Sequence, residues 1–289
     1  MSRAIRLTAP AKVNLTLEVL GKREDGYHDL RSVFATFDLA DRVRIASAGR
    51  LDVQVRPDPG APAGRELTAR AVEALAAALG RPPHAHVRVA KRIPVAAGLG
   101  GGSSDAGAAL RGLARLWRST VELRPVAASV GSDVPFFATG AAFALVEGRG
   151  EHVRQLPVPA VALWIVLVRV GARLATADVF AALRPDEWSD GSRSTALARA
   201  FDTLTVDPDT VREQLRNDLA DAAARVCREI GETRLVAGAK GVTLSLSGSG
   251  PSLFAVAEDR RDALRLARIL RGQGLDARAR ALGRTDATV

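Results

Sequence analysis

Apolar and polar residues alternate with a period of two over much of the first half of this chain, a pattern that predicts strands with one buried face. Residues 5–20 read as two short strands or one bent strand around Ala9-Pro10. Within them Val13, Leu15 and Leu17 share one face, and Lys12, Asn14 and Thr16 share the other. Residues 31–39, 42–46, 51–55 and 86–90 are strand-like too, and Asp25-Gly26 signals a hairpin turn. A Pro/Gly-rich loop at 57–64 leads to a helical period over 66–79, ended by Gly80 and Pro82-Pro83.

Further on, helices are predicted over 106–117 and 123–130, and strands over 141–147 and 162–168, with 148–160 as the junction between two lobes. Residues 176–183 form a short helix, and 185–194 a polar, mobile loop. Helices follow over 195–201, 210–215 and 219–230, the last stopped by Gly231. The chain closes as strand 242–247, strand 253–257, helix 260–270 and strand 275–282, an α+β unit with an antiparallel sheet.

Composition narrows this picture. A hydrophobic fraction of 47% suits a globular protein. The longest apolar run, 158–170, is interrupted by Pro159 and Arg169, so a buried strand is expected there and no membrane association. The N-terminal residues lack an apolar signal core, and Cys227 is the single cysteine. A cytoplasmic location is the expectation. The formal charge of +9 invites a nucleic-acid reading. However, the arginines are spread along the chain, largely between alanine and leucine, and no basic run is interleaved with aromatics. A solvated basic surface that draws in a phosphorylated small molecule is the preferred reading, with no nucleic-acid partner.

The most informative stretch is Pro94-Val95-Ala96-Ala97-Gly98-Leu99-Gly100-Gly101-Gly102-Ser103-Ser104, between a strand and a helix. Its bare N–H groups at a helix start suit a phosphate. The alternative is a flexible turn, although three ordered glycines are entropically expensive for one. It is neither a Walker A loop, lacking Lys then Ser/Thr, nor a dinucleotide fingerprint, since Ser103 stands where Gly or Ala is required. Other segments carry chemistry with open alternatives. Lys12 and Asn14, side by side on one strand face, read by themselves as a solvated face. Tyr27-His28 is a base-reading pair or a packed turn with an exposed histidine. Asp133, before Val134-Pro135-Phe136-Phe137, is a general base against an apolar wall or a turn cap. The turn at 247–252 is a plain hairpin or a second wall beside the glycine loop.

The glycine loop resembles the ATP-binding motif of the GHMP kinases. The flanking motifs Pro10-Ala11-Lys12-Val13-Asn14-Leu15, Asp25-Gly26-Tyr27-His28, Asp133-Val134-Pro135-Phe136-Phe137 and Ser247-Gly248-Ser249-Gly250-Pro251 narrow the resemblance. It extends over nearly the whole chain and weakens between 185 and 215. It implies a two-lobed α+β fold: an N-terminal, ATP-binding lobe at 1–155 similar to ribosomal protein S5 domain 2, and a C-terminal lobe at 156–289 with an antiparallel sheet and helices. It also implies ATP as co-substrate with Mg²⁺, and a small cytidine-diphosphate acceptor, 4-(cytidine 5′-diphospho)-2-C-methyl-D-erythritol, phosphorylated on its 2-hydroxyl in the non-mevalonate route to isoprenoid precursors. In its terms Asp133 is the base and Lys12 its partner, and residues 94–104 cradle the triphosphate. Asn14, Tyr27, His28, Thr176 and Phe180 meet the acceptor. A monomer or weak homodimer is expected, and no metal-ligand set is legible. The chain departs from the pattern at Ala175, where serine is expected, and at Asp105, where some relatives carry asparagine. Asp105 stands so near the phosphates that it needs Mg²⁺ or an arginine beside it.

Overall fold

The computed structural model describes residues 4–57 and 63–283. Strands Ile5–Asn14 (β1) and Thr16–Lys22 (β2) lie antiparallel along one edge of a 20-residue strand, His28–Ser47 (β3). Two stretches expected as separate strands are therefore one. Asp52–Arg56 (β4) pairs parallel with Ala85–Ala90 (β5), and helix Ala63–Ala78 (α1) connects them. Helices Gly101–Trp117 (α2), Leu123–Val130 (α3) and Val134–Thr139 (α4) follow, then the hairpin Phe143–Gly148 (β6) and His152–Leu156 (β7). The other edge of β3 takes β6 along its first half and β5 along its second. Residues 148–156 thus belong to this sheet through the β6–β7 hairpin, and the chain leaves that hairpin only at 157. Most of the expected Pro/Gly-rich loop lies outside the described residues.

Trp164–Arg169 (β8) opens a second, four-stranded antiparallel sheet, after which come helices Thr176–Ala182 (α5), Ser192–Asp202 (α6) and Pro208–Gln214 (α7). The chain then returns to the first sheet for one short strand, Arg216–Asn217 (β9), parallel to β2 and too brief to show in the pattern. The single helix expected over 219–230 is two, Ala220–Val226 (α8) and Arg228–Gly238 (α9). The break falls at Cys227, whose backbone is extended (φ −131°), and Gly231 lies inside α9 rather than ending it. Ser245–Leu246 (β10), Leu253–Ala257 (β11), Arg260–Arg271 (α10) and Asp276–Ala281 (β12) complete the fold. The segment 185–194 is tied down: Arg225 bonds Glu187, and Ser189 donates to Asp218. No helix among the described residues is long and apolar enough to cross a membrane.

The side chains of β3 serve two different cores. Val33, Ala35 and Phe37 pack with Ile165, Leu167, Phe254 and Val256 of the second sheet. Val43 and Ile45 pack under α1 and α2. The change falls where the β1–β3 register shifts between Pro10 and Ala11, as a bulge re-aims the residues beyond it. Helix α2 approaches α4 so closely at Gly107 that a Cβ there would lie 2.5 Å from Phe137 Cβ. This contact sets the position of α4.

Two contacts anchor the glycine loop to this frame. Below it, the fully buried Asp41 accepts from the N–H groups of Arg92 and Ile93, and Lys91 Nζ lies 2.5 Å from Asp41 and 2.8 Å from Asp105. Asp105 therefore faces a lysine, neither an arginine nor an open metal position. Two dry carboxylates and one ammonium leave a surplus negative charge, and Asp105 Oδ1 has no partner. Burial lifts the Asp105 carboxyl to about 8, with Lys91 opposing and Asp41 adding to the rise. Beside the loop, Ser247 donates its hydroxyl to the Gly98 carbonyl at 3.0 Å, and the Ser252 N–H reaches Ala97. The second Gly/Ser turn is thus a wall against the first loop. Gly98 has φ +73°, and a Cβ on it would sit 2.3 Å from the Ser247 carbonyl oxygen.

Gly98→Ala is expected to destabilise the fold by at least about 2 kcal/mol, from strained backbone plus the clash; an unchanged denaturation midpoint would contradict this packing. For Asp105 the folded state holds a proton that the unfolded chain releases near the ordinary 3.8, so its contribution to stability falls as pH rises from about 4 to about 8. Asp105→Asn should flatten that slope and gain on the parent as pH rises. Parallel stability–pH curves for the two proteins would count against the assignment.

Candidate active site

A cleft of about 830 Å³ runs between β1–β3, the glycine loop and the start of α5, and it gathers nearly all of the residues singled out above. Lys12 and Asn14 are 3% and 1% exposed, so they form no solvated face. An ammonium so far from water needs partners. Lys12 Nζ lies 2.6 Å from Asn14 Oδ1, 3.4 Å from Asp133 Oδ2 and 4.5 Å from the centre of the Phe34 ring. The Lys12 backbone N–H donates to the Leu99 carbonyl, which joins β1 directly to the loop.

Asp133 stands at the N-terminal boundary of α4 but makes no capping hydrogen bond to its own helix. Its side chain, 31% exposed, turns instead toward Lys12 and the cleft. Behind it, Phe136 packs on Phe34 and Phe137, the apolar wall read from the sequence.

Residues 94–103 all line the cleft. Helix α2 begins at Gly101, five residues earlier than its apolar period suggests, with Gly100 at φ +68° as the boundary residue. The loop's last glycines are therefore the first helical turn. The N–H groups of Gly101, Gly102 and Ser103 lie outside the helix's own ladder and its dipole favours an anion there. Ser103 faces the cleft. Ser104 does not: it is buried and donates its hydroxyl to the Pro10 carbonyl at 2.7 Å.

At the far end lie Tyr27, His28 and Phe180. His28 stacks on Phe180 with ring centroids 4.9 Å apart, and Trp188 meets its edge at 6.3 Å. Burial, helped by Lys22, holds the His28 imidazole below the ordinary histidine range, which favours the neutral ring. Tyr27 is 53% exposed, with the Arg149 guanidinium 4.8 Å over its ring. Thr176, first residue of α5, lies 2.9 Å from the Ser249 hydroxyl. Ser32, Lys91, Arg149 and Gly248 also line the cleft. No motif marks the first three. They come from separate segments and meet only in the fold. The basic excess is displayed elsewhere as well: Arg6, Arg44 and Arg88 stand in register across β1, β3 and β5, in a separate groove with Arg42 and Arg56.

Comparison with known proteins identifies the family. Residues 66–141 match the GHMP kinases N terminal domain and residues 200–275 the GHMP kinases C terminal domain. A 4-diphosphocytidyl-2-C-methyl-D-erythritol kinase of Brevibacillus brevis is 37% identical, covering 93% of this chain and 92% of that protein. The protein of the same name from Streptomyces coelicolor is 39% identical over 94% and 93%. A crystal structure of 4-(cytidine 5′-diphospho)-2C-methyl-D-erythritol kinase superposes with a TM-score of 0.77 at 36% identity, covering 96% of this chain and 99% of that one. Homoserine kinase from Cytophaga hutchinsonii, at 18% identity and a TM-score of 0.71, shares the fold. With both GHMP domains matched and relatives of one name aligned over nearly the full length, the chain belongs to the 4-diphosphocytidyl-2-C-methyl-D-erythritol kinase family of the GHMP kinases.

Proposed function

We propose that this protein transfers the γ-phosphoryl group of ATP to the 2-hydroxyl of 4-(cytidine 5′-diphospho)-2-C-methyl-D-erythritol. The observation that carries the reading is the Lys12–Asp133 pair, 3.4 Å apart and facing the cleft between a glycine-loop helix start and an aromatic end. Each part has a chemical use. The triphosphate lies against the N–H groups of Gly101, Gly102 and Ser103, where the helix N-terminus favours negative charge. The acceptor hydroxyl is a weak acid, and Asp133 accepts its proton as the oxygen attacks phosphorus in line. Lys12 stands beside the transferring group. Its ammonium, held in a dry site by Asn14, offsets the charge spread over the transferred oxygens. Holding acceptor and phosphate in one orientation supplies much of the remaining effect.

Tyr27, His28 and Phe180 support the cytidine end. A neutral imidazole both donates and accepts hydrogen bonds, which suits the edge of an uncharged base. Thr176, with its hydroxyl on Ser249, and Asn14, with its amide on Lys12 and Ser32, line the same cleft and border the acceptor chain in this reading. Mg²⁺ fits this cleft as a companion of ATP rather than as a resident ion. Among the described residues no group of three or more His, Cys, Asp or Glu comes together. Ser103 and Asp133, both in the cleft lining, would hold the ion, which when bound would neutralise phosphate charge.

The test is transfer of phosphate from ATP to the cytidine-diphosphate acceptor, with homoserine and mevalonate as controls; turnover of a control but not of that acceptor overturns the reading. Lys12→Ala and Asp133→Ala should each lower kcat by about 10²–10⁴ while leaving a folded protein. Near-parental turnover in both would remove their roles. Tyr27→Ala should act mainly on the acceptor's KM, because base stacking is worth about 1–3 kcal/mol. An unchanged KM would exclude stacking by this ring.

A further inference from the structure

The hydrogen-bond directions around Lys12 are determined by chemistry, and they converge on a serine to which no motif points. A lysine ammonium only donates, so the Asn14 atom 2.6 Å from Lys12 Nζ is the amide oxygen. The amide nitrogen then points the other way, 2.9 Å from Ser32 Oγ. An NH₂ group only donates, so Ser32 Oγ accepts from it, and the single serine proton goes to the carbonyl of Thr16. All four groups are buried: Lys12, Asn14, Thr16 and Ser32 are at most 3% exposed. Arranged this way each donor meets an acceptor, and turning the Asn14 amide over would set its NH₂ against the Lys12 ammonium, donor against donor.

We infer that Ser32 is a positioning residue for phosphoryl transfer, acting through Asn14 to hold the Lys12 ammonium toward Asp133. An asparagine amide is nearly symmetric in shape, so packing alone does not choose between its two orientations. Lys12 and Ser32 make the choice together: the ammonium takes the amide oxygen, and Ser32, its proton committed to Thr16, can only accept from the NH₂. With the hydroxyl gone, the Asn14 NH₂ loses its buried acceptor, and the amide is free to shift away from the position in which its oxygen holds the ammonium.

The network has a second anchor that steadies Ser32 itself. Thr16 Oγ1 accepts from the Val33 N–H at 2.9 Å and lies 2.8 Å from Ser194 Oγ, whose hydroxyl also reaches the Arg31 carbonyl at 3.0 Å. Ser194 lies in the first turn of α6, and its backbone N–H donates to the buried Glu18 at 2.7 Å. The Thr16 backbone that receives the Ser32 proton is thus fixed from both sides. The inference rests on the reading of Lys12 and Asp133 as the reacting pair.

The experiment compares Ser32→Ala, Ser32→Cys and Ser32→Thr for kcat, acceptor KM and melting temperature, together with Asn14→Ala and the Asn14→Ala/Ser32→Ala double variant. Cysteine keeps the volume with a poor hydrogen-bonding atom, so it serves if the alanine variant does not fold. The expected result is a fall in kcat of roughly tenfold to a hundredfold for alanine and cysteine with little change in KM, and recovery with threonine. In the Asn14→Ala background, Ser32→Ala should add little further loss, since both act on one chain of contacts. Parental kcat in the cysteine variant overturns the inference, as does a kcat loss that multiplies fully with that of Asn14→Ala. If Lys12→Ala and Asp133→Ala lose turnover while the Ser32 variants keep theirs, the inference alone fails. Retained turnover in Lys12→Ala and Asp133→Ala defeats the functional reading itself.

Discussion

The geometry of the cleft depends on one buried positive charge. Lys12 sits on a strand covered on both faces, and an ammonium there is tolerable only with its donors engaged. Asn14 and Asp133 engage them, and the Phe34 ring covers a further side. Asn14 comes with β1 at no structural effort, because residues two apart share a strand face. Asp133 has to be delivered from 120 residues away in sequence, at the start of α4. Its delivery depends in turn on Gly107, where the absent side chain lets α4 lie directly on α2. The same helix, α2, supplies the N–H groups at its other function, the anion end. One helix therefore fixes the distance between Asp133 and the glycine loop.

The cradle is not self-supporting. Asp41 holds the backbone at Arg92 and Ile93, and the 247–252 turn presses on Gly98. One contact belongs to the first sheet and the other to the strand pair β10–β11 of the second. A loop wedged between two bodies keeps its N–H groups aimed without a ligand present, which is what electrostatic preorganisation requires. The Asp41–Lys91–Asp105 cluster lies directly beneath. Burial lifts the Asp105 carboxyl to about 8, so a proton there eases the cluster's surplus negative charge. That accounts for an acid at a place where the chemistry of the site argues against one.

Much of this was legible in the sequence because it depends on local rules. The period-two runs became strands, the glycine loop announced a helix start by its backbone requirements, and the acid at 133 stood beside an apolar wall that the fold places behind it. The misreadings were local as well. A periodic pattern does not show where pairing continues, so it divides β3 in two and runs the 219–230 helix without a break. Gly231 looked like a stop because glycine is a poor helix former, yet the neighbouring packing of α9 overrides one weak residue.

By itself, then, the chain determined most of the element types and the bare backbone of the glycine loop at a helix start, since each of these follows from the conformational demands of neighbouring residues. The tertiary structure alone decided which of those residues meet. Whether Lys12 is solvated or buried, whether Ser104 faces the cleft or Pro10, and that Ser32 touches Asn14 are all set by segments far apart in sequence. The physical reason is burial. A polar side chain taken out of water is bound to the partners the fold brings within about 3 Å, and no local pattern encodes which partners those are.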